Sequence, residues 1–204
     1  MILMGMRDSP YVRRVAISMK LMGLAYEHQL VSVFRHMDRF RAINPVIKAP
    51  SFICDDGTVL MDSTLILDYL EHCVAAGNGL MPPAGEPRKD ALRLICIAMA
   101  ANEKNVAMVY EKEQRPADKL HQAWIDRAIG QVHAAFEMME HAVKGARPWL
   151  AGDRINASDV AVAVAWRFCQ YYNAAEIPAA RYPALVAYSA RAEALPEFAA
   201  VPLD

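Results

Sequence analysis

Apolar positions in the first third of the chain switch repeatedly between a strand period and a helix period. Ile2-Leu3-Met4 is a short apolar run that predicts a buried strand. Ser9-Pro10 then marks a helix start, because a Ser side chain can accept from free N–H groups and Pro suits the first helical position. Val12, Val15, Ala16, Met19 and Met22 follow at helical spacing, and Gly23 stops the run. Residues 26–33 read as a second strand, and 36–43 as a short charged helix or turn ended by Asn44-Pro45. Ser51-Phe52-Ile53 and Val59-Leu60-Met61 flank Asp55-Asp56-Gly57-Thr58, a hairpin signal. From Asp62 a further helix carries Ile66, Tyr69, Leu70, Cys73 and Val74 on one face. The order is β-α-β-α-β-β-α. A β-α-β unit with a parallel strand pair comes first, and the hairpin completes the sheet.

The pattern changes after residue 76. Residues 77–86 are rich in Gly and Pro and read as a linker between domains 1–76 and 87–204. Every periodic segment beyond it is helical. Leu92, Ile95, Cys96, Met99 and Val106 mark one long helix. Ile125, Ile129, Val132, Phe136, Met139 and Val143 mark another, too short in heptads for a coiled coil. Asn156-Ala157-Ser158-Asp159 is a capping-box variant, with Ile155 and Val160 placed as its hydrophobic staple. This start reads as a cap with no chemistry.

Composition narrows the classes. The 204 residues are 55% hydrophobic with 12 Met, enough for a sizeable core. Twenty-two basic against 23 acidic residues leave a net charge of -1, which gives no electrostatic case for nucleic acid or an anionic membrane. Cys54, Cys73, Cys96 and Cys169 are far apart and read as buried, reduced thiols. The six His make no ligand motif, so no metal is expected. No apolar stretch approaches membrane-spanning length and no signal sequence is legible, so the expected location is cytoplasmic.

Three segments could carry chemistry. Ser9, at a helix N-terminus, is able to donate to a thiolate that the helix dipole also favours. A thiol pKa of about 8.5 lowered by about two units raises the thiolate fraction at pH 7 from a few per cent to about three quarters. In that scheme Ser9 is a hydrogen-bond donor rather than a nucleophile. Ala49-Pro50, if its peptide bond is cis, turns the Ala49 backbone outward to pair with an extended peptide ligand, and Lys48 adds attraction for a carboxylate. Asp62-Ser63 at a helix start offers free N–H groups and a hydroxyl for a carboxylate, with Asp62 for an ammonium. Each also has a plain structural reading, as a cap or a turn.

Taken together, Asp8-Ser9-Pro10-Tyr11-Val12-Arg13-Arg14-Val15, Asn44-Pro45-Val46-Ile47-Lys48-Ala49-Pro50 and Met61-Asp62-Ser63-Thr64 resemble the glutathione site of a bacterial glutathione S-transferase. The resemblance spans nearly the whole chain, including Trp149-Leu150-Ala151-Gly152-Asp153 before the capping box and Arg181-Tyr182-Pro183-Ala184-Leu185 near the end. It implies a thioredoxin-like N-terminal domain, of α/β class, followed by an all-helical C-terminal domain. It implies that Ser9 activates the thiol, as in serine-type classes. Ala49 and Pro50 match the pair that meets the cysteine backbone of glutathione, Asp62 and Ser63 match the pair that binds its γ-glutamyl end, and Tyr11 lines the mouth of the site. Glutathione is then the co-substrate, with no metal, and a homodimer is expected. Ala49 stands where Val is common, but that contact is through backbone. The first strand holds no Tyr and position 9 no Cys, which argues against the tyrosine- and cysteine-type members.

The resemblance places a second-substrate pocket near Met108, Tyr110 and Trp166, for a small hydrophobic electrophile. The expected activity is addition of the glutathione thiolate to that electrophile. The alternatives are a non-catalytic glutathione-binding or partner-binding protein on the same fold, and a glutathione-dependent isomerase or peroxidase.

Overall fold

Three-residue strands cannot stand alone, so the first part of this protein depends on what covers them. In a computed structural model that describes residues 1–203, four strands form one mixed sheet. They are β1 (Ile2–Met4), β2 (Glu27–Gln29), β3 (Ser51–Ile53) and β4 (Val59–Met61), in the order β2-β1-β3-β4. β1 pairs parallel to β2 and antiparallel to β3, and β3 pairs antiparallel to β4. Helix α1 (Pro10–Leu21) is the crossover between the parallel pair, α2 (Met37–Arg41) precedes β3, and α3 (Ser63–Cys73) follows the hairpin. This is the β-α-β-α-β-β-α order read from the periodicity, and it is the thioredoxin-like order that the resemblance implied. β2 is shorter than residues 26–33 promise, because it is an edge strand whose single partner, β1, offers only three residues.

The apolar stripe of α1 is buried throughout, from Val12 to Met22. Met4, Val31 and Phe40 form a second core, against which Ile47, Ala49 and Ile53 pack. On α3 the buried residues are Ser63, Ile66, Leu67 and Leu70, while Tyr69 and Cys73 lie at the surface.

The remaining helices are α4 (Glu86–Gln114), α5 (Gln122–Val143), α6 (Ala157–Tyr172), α7 (Pro183–Glu193) and α8 (Pro196–Ala199). The chain divides into two compact units. The first comprises 1–81 and 194–204, and the second comprises 82–193. The sequence pattern carried the helical domain through to 204. In the fold, residues 194–203 return to the first unit. Arg13 draws them there: its Nε donates to the Val201 carbonyl at 2.9 Å, and its guanidinium lies 5.9 Å from the Phe198 ring.

The helical unit packs on small residues. Ala91, Ala98 and Ala101 of α4 and Ala161, Ala163 and Ala165 of α6 are all buried. This is why the long α4 turns a different stripe inward than its larger apolar side chains suggest. Leu92 and Cys96 are exposed, and Leu94, Ile95, Ala98 and Met108 are inside. All four thiols are free, but only Cys54 and Cys169 are buried, which corrects the expectation for Cys73 and Cys96.

Candidate functional site

Three chain segments converge in the first unit. The first is the start of α1. Ser9 is its N-cap, in extended conformation, and Ser9 Oγ accepts from the Val12 N–H at a long 3.4 Å. Pro10 occupies the first turn, and no acidic side chain lies in that turn. Capping uses one lone pair of the hydroxyl and leaves its hydrogen available to donate. The cap and the chemical reading of Ser9 are therefore compatible.

The second segment is the loop 44–51. The Ala49–Pro50 peptide bond is cis. The loop is held by an internal polar clamp. The buried Asn44 accepts from the Val46 N–H at 3.0 Å and donates to Ser51 Oγ at 2.8 Å, and that hydroxyl donates to the Lys48 carbonyl at 2.8 Å. Ile47 inside this clamp has φ 52, a conformation costly for a β-branched residue. Lys48 is exposed, Ala49 half-buried and Pro50 buried.

Gly5 joins the first two segments. It follows β1 with φ 137, and a Cβ there would lie 2.5 Å from Val12 Cγ2 and 3.3 Å from Ala49 Cβ. Only glycine lets α1 and the cis-proline loop approach this closely.

The third segment is the start of α3. Asp62 is its N-cap with φ 70, and Asp62 Oδ1 accepts from the Thr64 N–H at 2.9 Å. Ile47 and Asp62 are the two non-glycine residues with positive φ among the described residues, and both belong to these segments. Arg14, buried on α1, donates from Nη1 to Ser63 Oγ at 3.3 Å and Thr64 Oγ1 at 3.2 Å. Burial lowers the Arg14 pKa to about 10, and the Asp62 charge opposes that drop, so the guanidinium stays charged at neutral pH. Tyr11 is half-buried on the first turn of α1. The sequence reading missed Arg14 and the Asn44 clamp. The only signal was an Arg inside the apolar stripe of a helix.

The helical unit treats its three candidates differently. Trp166 is core, packed edge-on against Phe136 and Tyr182 with ring centroids 5.2 Å and 5.6 Å away. Met108 is also buried, whereas Tyr110 is exposed. Two residues apart on one helix, Met108 and Tyr110 do not face the same way. Among the described residues no three His, Cys, Asp or Glu cluster as a metal site, and no helix is long and apolar enough to cross a membrane.

The sheet order and the appended bundle define a thioredoxin-like protein with a second, all-helical domain. Residues 3–76 match the family model of the glutathione S-transferase N-terminal domain, and residues 122–191 that of the C-terminal domain. Glutathione S-transferase U4 of Arabidopsis thaliana is 26% identical over 167 residues, covering 82% of this chain and 70% of its own length. A probable maleylacetoacetate isomerase of Vibrio cholerae is 27% identical over 216 residues, covering 98% and 94%. The crystal structure of a glutathione S-transferase from Methylobacterium radiotolerans, in complex with glutathione sulfonate, superposes with a TM-score of 0.90. It is 25% identical and covers 100% of this chain and 95% of that one. The chain belongs to the glutathione S-transferase family.

Proposed function

We propose that this glutathione transferase holds glutathione across the three converging segments and ionises its thiol beside Ser9. The thiolate then adds to a small apolar electrophile. The observation that carries the reading is the convergence itself. A helix start with an unused hydroxyl hydrogen, a cis-proline edge and a second helix start are joined by Gly5 and Arg14. Ser9 donates to the thiolate, and the positive end of α1 lowers the energy of the anion. The Ala49 backbone pairs with the cysteine residue of glutathione as an added strand does. Lys48 attracts the glycine carboxylate. Asp62 pairs with the γ-glutamyl ammonium, while the Ser63 hydroxyl and the free N–H groups of α3 take the carboxylate. Tyr11 lines the mouth of the site. Catalysis comes from positioning and from a stabilised anion.

On the helical side, Met108, Tyr110 and Trp166 are the candidates for the electrophile, and of the three only Tyr110 is exposed. A homodimer is the proposed assembly. In its favour, β4 and α3 leave Val59, Met61, Leu65 and Tyr69 exposed on the first unit, and Leu65 is 64% accessible. A cytoplasmic location is part of the proposal, in keeping with the balanced charge and with no helix among the described residues long and apolar enough to cross a membrane.

The deciding experiment is Ser9→Ala with a panel of aryl and enone electrophiles. Turnover should fall about tenfold to a hundredfold and the kinetic pKa should rise, with glutathione affinity nearly unchanged by calorimetry. An unaltered rate and pKa removes Ser9 from the chemistry. The near full-length match to the probable maleylacetoacetate isomerase fits the second reading, a glutathione-dependent isomerase, as well as it fits a transferase. An isomerase returns glutathione unchanged, whereas a transferase consumes it, so the glutathione balance separates the two.

A further inference from the structure

We infer that Arg14 is a positioning residue that turns the start of α3 into a donor pair selective for the α-carboxylate of the ligand's amino-acid head group. The inference rests on the assignment of the γ-glutamyl end to Asp62 and Ser63. A guanidinium has five N–H donors and no acceptor. Nη1 of Arg14 reaches Ser63 Oγ at 3.3 Å and Thr64 Oγ1 at 3.2 Å. Both hydroxyls must accept from it, so neither can give its own hydrogen back. The hydroxyl hydrogens of Ser63 and Thr64 are thereby directed away from Arg14, toward an outside acceptor. Without Arg14 each hydroxyl could rotate to donate or accept, and the carboxylate preference would be lost.

Charge acts in the same direction. Arg14 is 3% exposed, so its field at the α3 start is weakly screened. The free N–H groups of the helix add positive partial charge there. Asp62 limits the excess and is itself fixed, since its Oδ1 accepts from the Thr64 N–H at 2.9 Å. Thr64 is thus gripped from both sides, through its N–H by Asp62 and through Oγ1 by Arg14. The result is a zwitterion reader in which the cationic partner sits beneath the helix start and the anionic partner beside it. Arg14 also lies on α1, the helix whose start holds Ser9, so one rigid element sets both ends of the ligand.

The test uses two glutathione analogues, each missing one charge of the head group. In 4-aminobutyryl-Cys-Gly the α-carboxylate is absent, and in glutaryl-Cys-Gly the ammonium is absent. Affinities are measured by calorimetry for the full chain and its variants. Arg14→Gln should weaken glutathione and the glutaryl analogue on the order of tenfold while leaving the aminobutyryl analogue unchanged. Arg14→Lys should restore part of the loss, because one cationic donor remains. A merely structural Arg14 would lower Tm and weaken all three ligands alike, and that result overturns the inference. Thr64→Val, at an exposed position, provides a variant that does not disturb the core, and it should shift the preference several-fold in the same direction. No shift there also overturns it. Ser63→Ala separates the two levels of the argument. If Ser63→Ala abolishes the carboxylate preference and Arg14→Gln does not, the inference fails and the site assignment stands. If Ser63→Ala leaves the preference intact, the site assignment fails with it.

Discussion

Two helix starts in this protein use nearly the same residues and reach opposite ends. At α6, Asn156 Oδ1 accepts from the Ser158 N–H at 2.7 Å, and Asp159 accepts from the Asn156 N–H at 2.7 Å and the Leu150 N–H at 2.8 Å. The Tyr188 hydroxyl donates to the same carboxylate. Asp159 is fully buried, and burial pushes its pKa up against those hydrogen bonds. Every strong acceptor there is used by the protein itself. At α3, Asp62 caps Thr64, the backbone of Asp62 is held at φ 70, and Arg14 donates to the hydroxyls of Ser63 and Thr64. The first start is closed and serves folding. The second is open and strained, as binding sites commonly are.

The largest effect should come from breaking the closed start. Asp159→Ala leaves two backbone N–H groups and a buried tyrosine hydroxyl without their acceptor. We expect a cost of about 3 kcal/mol, roughly a 10 °C fall in Tm, with little change in glutathione affinity for the folded fraction. A stable variant would mean that α6 does not depend on its box. Next, Asp62→Gly should do the reverse. Glycine takes positive φ freely and costs only a few tenths of a kcal/mol as a cap, so Tm should hardly move. Glutathione affinity should fall about tenfold or more as the ammonium loses its partner. A large loss of stability with affinity intact would make the two starts alike.

The smallest effect concerns pH. His133 Nδ1 lies 2.6 Å from the Tyr182 hydroxyl, and Arg181 Nη1 lies 3.4 Å from His133 Nε2. Arg181 can only donate, so Nε2 must be the unprotonated nitrogen. Burial, and then the Arg181 charge, hold this His below its ordinary 6.5. The unfolded chain therefore binds more protons as pH falls through 6.5. The contribution of His133 to stability is present above 6.5 and is lost as pH drops through the folded-state value. His133→Gln should flatten the fall in Tm between pH 7 and pH 5 by a few degrees and leave the first unit unaffected. An unchanged slope removes His133 from the acid response.

How far these differences were legible depended on the range of the contacts. The β-α-β-α-β-β-α order and the α6 box follow from local spacing, and the cap residues at Ser9 and Asp62 announce themselves by type. The fate of each cap does not. Whether Asp159 is enclosed depends on Tyr188, 29 residues away, and which hydrogen bond the Ser63 hydroxyl accepts depends on Arg14, 49 residues away. Periodicity also misjudged α4. Alanines form its buried stripe, and a pattern weighted by large apolar residues looks past them to Leu92 and Cys96. The packing of Trp166, edge-on to Phe136 and Tyr182, is likewise set by residues 30 and 16 positions away, which no local pattern announces.

The bond from Arg13 to the Val201 carbonyl sets an order of completion during synthesis. Its partners are 188 residues apart in sequence, whereas the helical unit is one continuous stretch. A ribosome delivers the chain over many seconds, and domains ordinarily fold as they emerge. Here the unit begun first cannot seat its buried Arg13 until the last one is already made. The first unit is then the older part of the nascent chain and the younger part of the folded protein.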